Sequence, residues 1–128
     1  MKRRLLSVVL ALVLIASMAV PALAISDSGT IASQPWNYST TLNSGGASGT
    51  VRYQGPDQLF VSINVYNWCS GHTDWVSKYN YDYDYGNAYT EVDNMVTIDG
   101  SAHACVPGYG YLTGKVGSQY VIANGRFT

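Results

Sequence analysis

Hydrophobic and polar residues alternate with a period of two along several short segments of this chain, which is the pattern of β-strands rather than of helices. The clearest such segment is 59–66, in which every odd position is aliphatic while Ser62 and Asn64 stand at even positions. We expect this strand to turn one face towards a core and the other towards solvent.

A second alternating segment, 79–85, has tyrosine at every odd position and Asn or Asp at every even position. Gly86-Asn87 follows directly, and such a pair between two alternating runs predicts a two-residue hairpin turn. The hairpin would place Asp82 opposite Glu91 and gather the tyrosines on one face. The other face would carry the carboxylates of Asp82, Asp84, Glu91 and Asp93.

The rest of the chain is punctuated by turn residues at short intervals. Further strands are predicted at 50–53, 109–116 and 119–127. Turns are predicted at 43–49, 54–57, 106–108 and 117–118. Segment 25–37 is expected to be irregular or an edge strand, because Pro35 cannot donate a ladder hydrogen bond. About seven strands in this spacing predict an all-β fold, either a small antiparallel β-sandwich of immunoglobulin-like size or a small barrel.

Residues 1–24 have the organisation of a secretory signal peptide. A cationic start, Lys2-Arg3-Arg4, precedes an unbroken apolar run over 5–20, and Ala22 and Ala24 form a small-residue cleavage site. The apolar run is shorter than the roughly 20 residues of a spanning helix, which disfavours the alternative of a retained anchor. We expect residues 25–128 to be secreted as one extracellular domain that does not insert into the membrane.

The distribution of charge disfavours two classes of binding partner, nucleic acids and anionic membranes. All eight acidic residues lie after the predicted cleavage site, but only four basic residues do, and these are scattered along the sequence. Nucleic acids and anionic membranes require clustered Lys and Arg, so neither is an expected partner. The same part of the chain holds all 11 tyrosines and all three tryptophans, which favours strands and tight turns.

The two cysteines, Cys69 and Cys105, predict a disulfide, because an even count in an exported chain is typical of disulfide pairing. Closing the loop between them would stabilise the fold by about 4 kcal/mol. The alternative is a zinc site, since His72 and His103 stand close to the cysteines in the sequence and would complete a set of four ligands. The oxidising destination of the chain favours the disulfide.

The predicted contact of Asp82 with Glu91 requires an explanation, because like charges directly opposite each other destabilise a strand pair. One explanation is a calcium ion held by Asp82, Asp84, Glu91 and Asp93, since extracellular modules bind calcium through carboxylates at about 0.1 to 1 mM. The other is that the carboxylates point into water, or that the register differs by one residue. Carboxylates that point into water are the favoured interpretation of this face, so no cofactor is expected and calcium is the alternative.

The tyrosine face also has two interpretations. Core packing is the expected role of most of these side chains, with their hydroxyls at the rim of the core. Exposure is the alternative, because the row contains many hydroxyls to bury and flat amphipathic rings form a platform for sugars or for another protein. Trp68 and Trp75, on either side of the Cys69 loop, are the stronger candidates for exposed residues. The candidate ligand-binding set is Trp68, Trp75, Tyr81, Tyr83 and Tyr85.

No enzyme is expected, because the chain contains no G-x-S-x-G, H-E-x-x-H or phosphate-binding glycine motif. The favoured function is a secreted, non-catalytic binding module that recognises a glycan, a cell-wall polymer or an extracellular protein through exposed aromatic side chains. One alternative is a secreted toxin or antimicrobial polypeptide, although the cationic surface of membrane-active polypeptides is missing. The other is a structural component of a surface or matrix.

Overall fold

The computed structural model describes residues 23–71 and 75–128, which form strands and the turns between them. The strands are β1 Leu23–Ile31, β2 Gln34–Asn43, β3 Gly46–Tyr53, β4 Gln58–Trp68, β5 Trp75–Tyr85, β6 Asn87–Asp93, β7 Met95–Ile98, β8 Ser101–Ala104, β9 Val106–Val116 and β10 Gln119–Phe127. None of the described residues belongs to a helix long and apolar enough to cross a membrane. The predicted signal peptide lies outside the described residues apart from Leu23 and Ala24, which begin β1.

Two four-stranded antiparallel sheets and one hairpin account for these ten strands. Sheet A has the order β1-β2-β3-β6, sheet B has the order β10-β9-β4-β5, and β7 pairs with β8. Residues from both sheets share one core, in a sandwich-like arrangement. The all-β prediction is confirmed, but ten strands replace the expected seven. The strand order also differs from the immunoglobulin order, A-B-E-D against C-F-G.

The core is built from residues at alternate strand positions. The four aliphatic side chains at positions 59, 61, 63 and 65 of β4 are completely buried, as their alternation predicts. Facing them, Gly49 of β3 leaves room for the opposite sheet, because a Cβ atom there would lie 2.8 Å from the side chains of both Ile63 and Leu112. Glycine at this position therefore allows sheets A and B to approach closely.

The N-terminal part contains more strand than predicted. Residues 25–37 were expected to be irregular or an edge strand, and β1 is indeed the edge strand of sheet A. It pairs with β2, which holds Pro35 inside the sheet, through a two-residue turn at Ala32-Ser33. Residues 43–49 were expected to be a flexible turn, whereas only Ser44 and Gly45 lie between β2 and β3. The small residues of β3 had indicated a loop, but they serve close packing inside the sandwich instead.

The predicted hairpin of β5 with β6 is wrong. β5 pairs with β4, which places Asp82 opposite Val61, and β6 pairs with β3, which places Glu91 opposite Ser48. The chain crosses from sheet B to sheet A at Gly86, where φ is 76°. Asp82 and Glu91 are therefore not cross-strand neighbours, and the like-charge pair that motivated the calcium hypothesis is not formed. Alternation specifies which residues share a face of a strand but not which strand is the partner. The sequence pattern therefore did not distinguish β4 from β6 as the partner of β5.

Polar side chains of β5 bridge the gap between the two sheets. The Asn80 Nδ2 atom donates to the Glu91 carbonyl at 2.9 Å, and the Tyr89 backbone N–H donates to Asp82 Oδ2 at 3.1 Å. β6 is an edge strand, so its outer backbone groups would otherwise lack ladder partners. The even-numbered residues of β5 thus close this side of the sandwich.

The predicted disulfide between Cys69 and Cys105 is present. Both cysteines are buried and pack with Val96 in a second, smaller core. Because the two sulfur atoms are bonded to each other, the zinc alternative is wrong. His103 is exposed on β8, and His72 lies outside the described residues.

Candidate functional site

The outer face of sheet B is the most unusual surface of the molecule. Directly paired residues of antiparallel strands point to the same side of a sheet. Phe60 of β4 therefore shares this face with Tyr83 of β5 and Lys115 of β9. We call it the aromatic face. Its aromatic side chains are Phe60, Tyr66, Trp68, Trp75, Tyr79, Tyr81, Tyr83, Tyr85, Tyr109, Tyr111 and Tyr120.

The tyrosines of β5 are not in the core, so the expectation of core packing is wrong for them. Tyr79, Tyr81, Tyr83 and Tyr85 each expose between 55% and 65% of their surface. The reason is the register of β5 on β4, which pairs the tyrosines with the outward residues of β4, as Tyr83 with Phe60, and not with its buried aliphatic residues. Their hydroxyls therefore remain in water, and one face of each ring is available to a ligand.

One end of the aromatic face is a cluster of rings around Trp75. The ring centroid of Trp75 lies 5.4 Å from those of both Trp68 and Tyr109, in edge contacts. Tyr66 stacks on Tyr109 with 4.9 Å between ring centroids. Gly108 lies against Trp75, since a Cβ atom at that position would be 2.3 Å from the indole. Trp68 and Trp75 nevertheless expose 40% and 46% of their surface, so this cluster is both fixed and accessible.

A row of tyrosines extends from this cluster along β5. The rings of Tyr79 and Tyr81 are 6.0 Å apart, and those of Tyr81 and Tyr83 are 5.9 Å apart. Phe60 of β4 supports the row from the side, with its centroid 4.8 Å from that of Tyr83. Such mutual contacts restrict the rotation of the rings and preorganise the surface for flat ligands.

A depression of about 410 Å³ lies in the middle of the aromatic face. Its lining combines three tyrosine rings with hydroxyl and amide groups, from Ser62, Asn64, Tyr66, Tyr79, Tyr111, Thr113 and Asn124. The Asn64 Nδ2 atom donates to the Tyr66 hydroxyl at 3.5 Å. Its Oδ1 atom is buried and accepts no hydrogen bond from the described residues, so the amide has unused acceptor capacity.

Asn124 reaches this depression through an irregularity in β10. The register of β10 against β9 shifts between Ile122 and Gly125, and Asn124 has a φ of 48°. Its backbone N–H donates to Thr113 Oγ1 at 3.1 Å, and the Thr113 hydroxyl donates to Asn124 Oδ1 at 3.3 Å. β-Bulges commonly re-aim a side chain next to a binding site, and a left-handed residue other than glycine is retained only where its surroundings hold it.

A second depression of about 440 Å³ lies further along the face, where β4 meets β9 and β10. Phe60, Tyr83 and Tyr120 supply its aromatic groups and Lys115 supplies a charge. The Lys115 Nζ atom stands 4.5 Å from the centroid of the Tyr120 ring, which is a cation–π contact. At the other end of the face, the Arg126 guanidinium lies 4.6 Å from the centroid of Tyr109.

Charged groups are divided unequally between the two sheets. Within the described residues, the outward positions of β4, β5, β9 and β10 carry Lys115 and Arg126 but no carboxylate, since Asp82 and Asp84 point to the other side of β5. Lys78 instead donates to Asp93 Oδ1 at the edge between the sheets. This hydrogen bond, with one from the backbone of Met95, lowers the pKa of the Asp93 carboxyl.

The four carboxylates of the calcium hypothesis are distributed over two sheets. Asp82 and Asp84 belong to β5, whereas Glu91 and Asp93 belong to β6. Asp84 accepts a hydrogen bond from the backbone N–H of Tyr85 at 2.7 Å. Among residues 23–71 and 75–128, no group of three or more His, Cys, Asp or Glu side chains is placed to hold a metal ion.

A larger depression, of about 560 Å³, lies on the outer face of sheet A. Its lining contains Glu91 and Asp93 and a single aromatic ring, that of Tyr89. The Tyr89 hydroxyl donates to Glu91 Oε2 at 2.8 Å, and this bond is the main reason why the pKa of Tyr89 is raised. Since its polar side chains already bind one another, this depression offers less to a ligand than the aromatic face.

Several members of the aromatic face were missed by sequence analysis. Tyr66 and Phe60 stand at the even positions of β4, and Tyr109 and Tyr111 stand at alternate positions of β9, so their shared side could have been read from the alternation. The pairing of β4 with both β5 and β9 could not be read in this way. Asn124 gave no sequence signal, because a bulge decides its direction.

Comparisons of this chain with family models, with curated proteins and with solved structures found no match. The residues of the aromatic face themselves indicate which ligands it can bind. Exposed rings can stack on flat apolar surfaces, and the amides of Asn64 and Asn124 can exchange hydrogen bonds with hydroxyl groups. This combination suits a ligand with both apolar faces and many hydroxyls.

Proposed function

We propose that this protein is an exported, non-catalytic module that binds a polysaccharide along the aromatic face of sheet B. The proposal rests on one observation: a row of exposed tyrosine rings and a depression lined by Asn64 and Asn124 lie on the same surface. The predicted signal peptide and the disulfide between Cys69 and Cys105 are consistent with export.

The shape of the surface favours a long ligand over a small one. Sites for small molecules are concave and enclose most of the ligand surface. The aromatic face instead runs along β4 from Phe60 to Trp68, a distance of about 27 Å at the usual rise per residue. Rings and polar groups are spread along this length, so a chain of sugar units can make repeated contacts.

The chemistry of the side chains favours sugars over a protein partner. Sugar rings present C–H faces that stack on tyrosine and tryptophan, and hydroxyl edges that bind amides. The unused acceptor of Asn64 and the amide of Asn124 lie among the rings of Tyr66, Tyr79 and Tyr111. Protein interfaces place large side chains in desolvated pockets at their centre, whereas the centre of this face mixes tyrosine rings with hydroxyl and amide groups.

The proposal is tested by co-sedimentation of the purified, oxidised protein with insoluble polysaccharides and bacterial cell walls. We expect Trp75→Ala and Tyr81→Ala to weaken binding about tenfold each, which corresponds to about 1.4 kcal/mol and exceeds the effect of most interface residues. Tyr89→Ala is the matched control, because Tyr89 is also exposed but lies on sheet A.

Binding to none of these polymers would contradict the proposal. It would also be contradicted if Tyr89→Ala weakened binding as much as Tyr81→Ala, since the aromatic face would then have no special role. If the protein instead bound one protein of the cell wall after the polysaccharide had been removed, the aromatic face would be a binding surface for a protein.

A further inference from the structure

From the charges on the aromatic face, we infer that its ligand is an anionic polysaccharide whose carboxylate or sulfate groups contact Lys115 and Arg126. This inference rests on the proposed function and specifies its substrate class. Acidic residues outnumber basic ones in the described part of the chain, yet no outward strand position of sheet B carries one.

The four cations of the described residues have different partners. Lys78 is bound to Asp93 and to the Met95 carbonyl, and Arg52 donates through Nε to Asn87 at 3.4 Å. Lys115 and Arg126 contact no carboxylate within the described residues, and each lies over a tyrosine ring instead. A cation held over a ring keeps its charge available while its side chain is already ordered.

The two cations flank the central depression. Arg126 is opposite Tyr111 on β9, and Lys115 is four positions further along the same strand. This separation corresponds to about 13 Å along the strand direction. A polysaccharide lying along β4 would therefore meet first Arg126, which is level with Asn64 across Tyr111, and then Lys115. Asn124, bound to Thr113, lies between these two levels.

The same surface fits a nucleic acid less well. Single-stranded nucleic acids also stack on aromatic rings, but their binding sites track the phosphate backbone with a continuous run of cations. Two cations whose backbone positions are about 13 Å apart along the strand, on a chain with an excess of acidic residues, do not provide such a run. Two isolated cations match an anionic sugar chain that also offers uncharged hydroxyls.

Two anionic polymers and one uncharged polymer provide the test. Affinity electrophoresis compares the oxidised protein in gels that contain polygalacturonate, its fully methyl-esterified form, or dextran sulfate. We expect at least one of the two anionic polymers to bind about tenfold more tightly than the esterified form, with an affinity that falls as salt rises. The carboxylate and sulfate arms identify which anionic group is recognised.

Charge variants give the second readout. Lys115→Gln and Arg126→Gln should each weaken binding of the anionic polymer several-fold and reduce its salt dependence, and should weaken binding of the esterified polymer much less. Arg52→Gln is the control, since it removes the same charge from sheet A and should have no effect.

Each contrary outcome has a distinct meaning. Equal, salt-independent binding of charged and esterified polymers, lost in Tyr81→Ala, would overturn this inference and leave the proposed function in place. Tighter binding of single-stranded oligothymidine than of any polysaccharide would overturn it in favour of a nucleic acid. Loss of binding in Arg52→Gln as large as in Lys115→Gln would also overturn it, because the effect would then be one of net charge.

Discussion

The carboxylate of Asp82, on β5 of sheet B, accepts a hydrogen bond from the backbone N–H of Tyr89, on β6 of sheet A, at 3.1 Å. The two strands are consecutive in the chain but belong to different sheets. A side-chain oxygen of β5 thus accepts the backbone hydrogen bond that a neighbouring strand would otherwise accept from β6. This relationship gives Asp82 a structural role at the edge of the sandwich.

We expect Asp82→Ala to lower the free energy of unfolding by about 1 kcal/mol, because the Tyr89 N–H loses its acceptor. Urea denaturation measures the change. Asp82→Asn is the control, since its amide oxygen can still accept the bond. Equal destabilisation by both variants would show that the negative charge, rather than the hydrogen bond, is what matters.

Two other side chains of β5 protect its own free edge. Asn80 Oδ1 accepts from the Tyr81 N–H at 3.0 Å, and Asp84 Oδ1 accepts from the Tyr85 N–H. Exposed N–H groups on an edge strand invite pairing with another molecule. We expect Asn80→Val with Asp84→Val to produce concentration-dependent dimers or larger species in light scattering. Asp84→Asn keeps the acceptor and should remain as the parent protein, and a monomeric double valine variant would refute this protective role.

The pair of Lys78 and Asp93 should make stability depend on pH. The pKa of Asp93 is lowered from 3.8, chiefly by the hydrogen bond from Lys78. A carboxyl with a lower pKa in the folded state stabilises the protein above its unfolded pKa and loses this effect as pH falls through the folded value. Asp93→Asn should therefore be less stable than the parent at neutral pH and equally stable in strong acid. The difference should shrink at all pH values in a Lys78→Gln background, and a difference that persists in strong acid would contradict the assignment.

Substitutions in the turn between β1 and β2 should stabilise the protein. Ala32 and Ser33 have φ values of 49° and 65°, a left-handed region that is strained for residues other than Gly, Asn and Asp. Ala32→Asn with Ser33→Gly should raise the free energy of unfolding by about 1 kcal/mol. Ala32→Val should lower it, because a branched side chain is worse in this region. An unchanged thermal midpoint in both variants would show that the turn adapts without strain.

The orientation of Trp75 depends on the absence of a side chain at Gly108. A methyl group there would lie 2.3 Å from the indole, so Gly108→Ala should displace the ring. The expected results are a change in the near-ultraviolet circular dichroism of the tryptophan pair and a several-fold loss of polysaccharide binding. Gly45→Ala, in the turn between β2 and β3, is the control. Unchanged spectra in Gly108→Ala would mean that the indole is not held in the orientation described.

The parts of the fold that depend on one strand at a time could be predicted from the sequence. The alternation of β4 predicted the burial of Leu59, and Gly117-Ser118 predicted the turn between β9 and β10, where Val116 pairs with Gln119. Pairings between distant strands could not be predicted, because Asp82 carries no information that distinguishes Val61 from Glu91 as its partner. The position of the tyrosines in solvent follows from that pairing, so the sequence could offer exposure only as the alternative to core packing.

The order of strands in sheet A has a consequence for the folding reaction. β3 and β6 are neighbours there, and Gly46 is paired with Asp93 across the whole length of β4 and β5. Pairings between residues so far apart in sequence raise contact order, which slows folding relative to proteins with local contacts. The β4–β5 hairpin can form locally, but its aliphatic side is fully covered only when both β3 and β6 of sheet A pack against it. We therefore expect docking of β6 to be a late event, and Ala88→Gly in β6 to accelerate unfolding more than it slows folding.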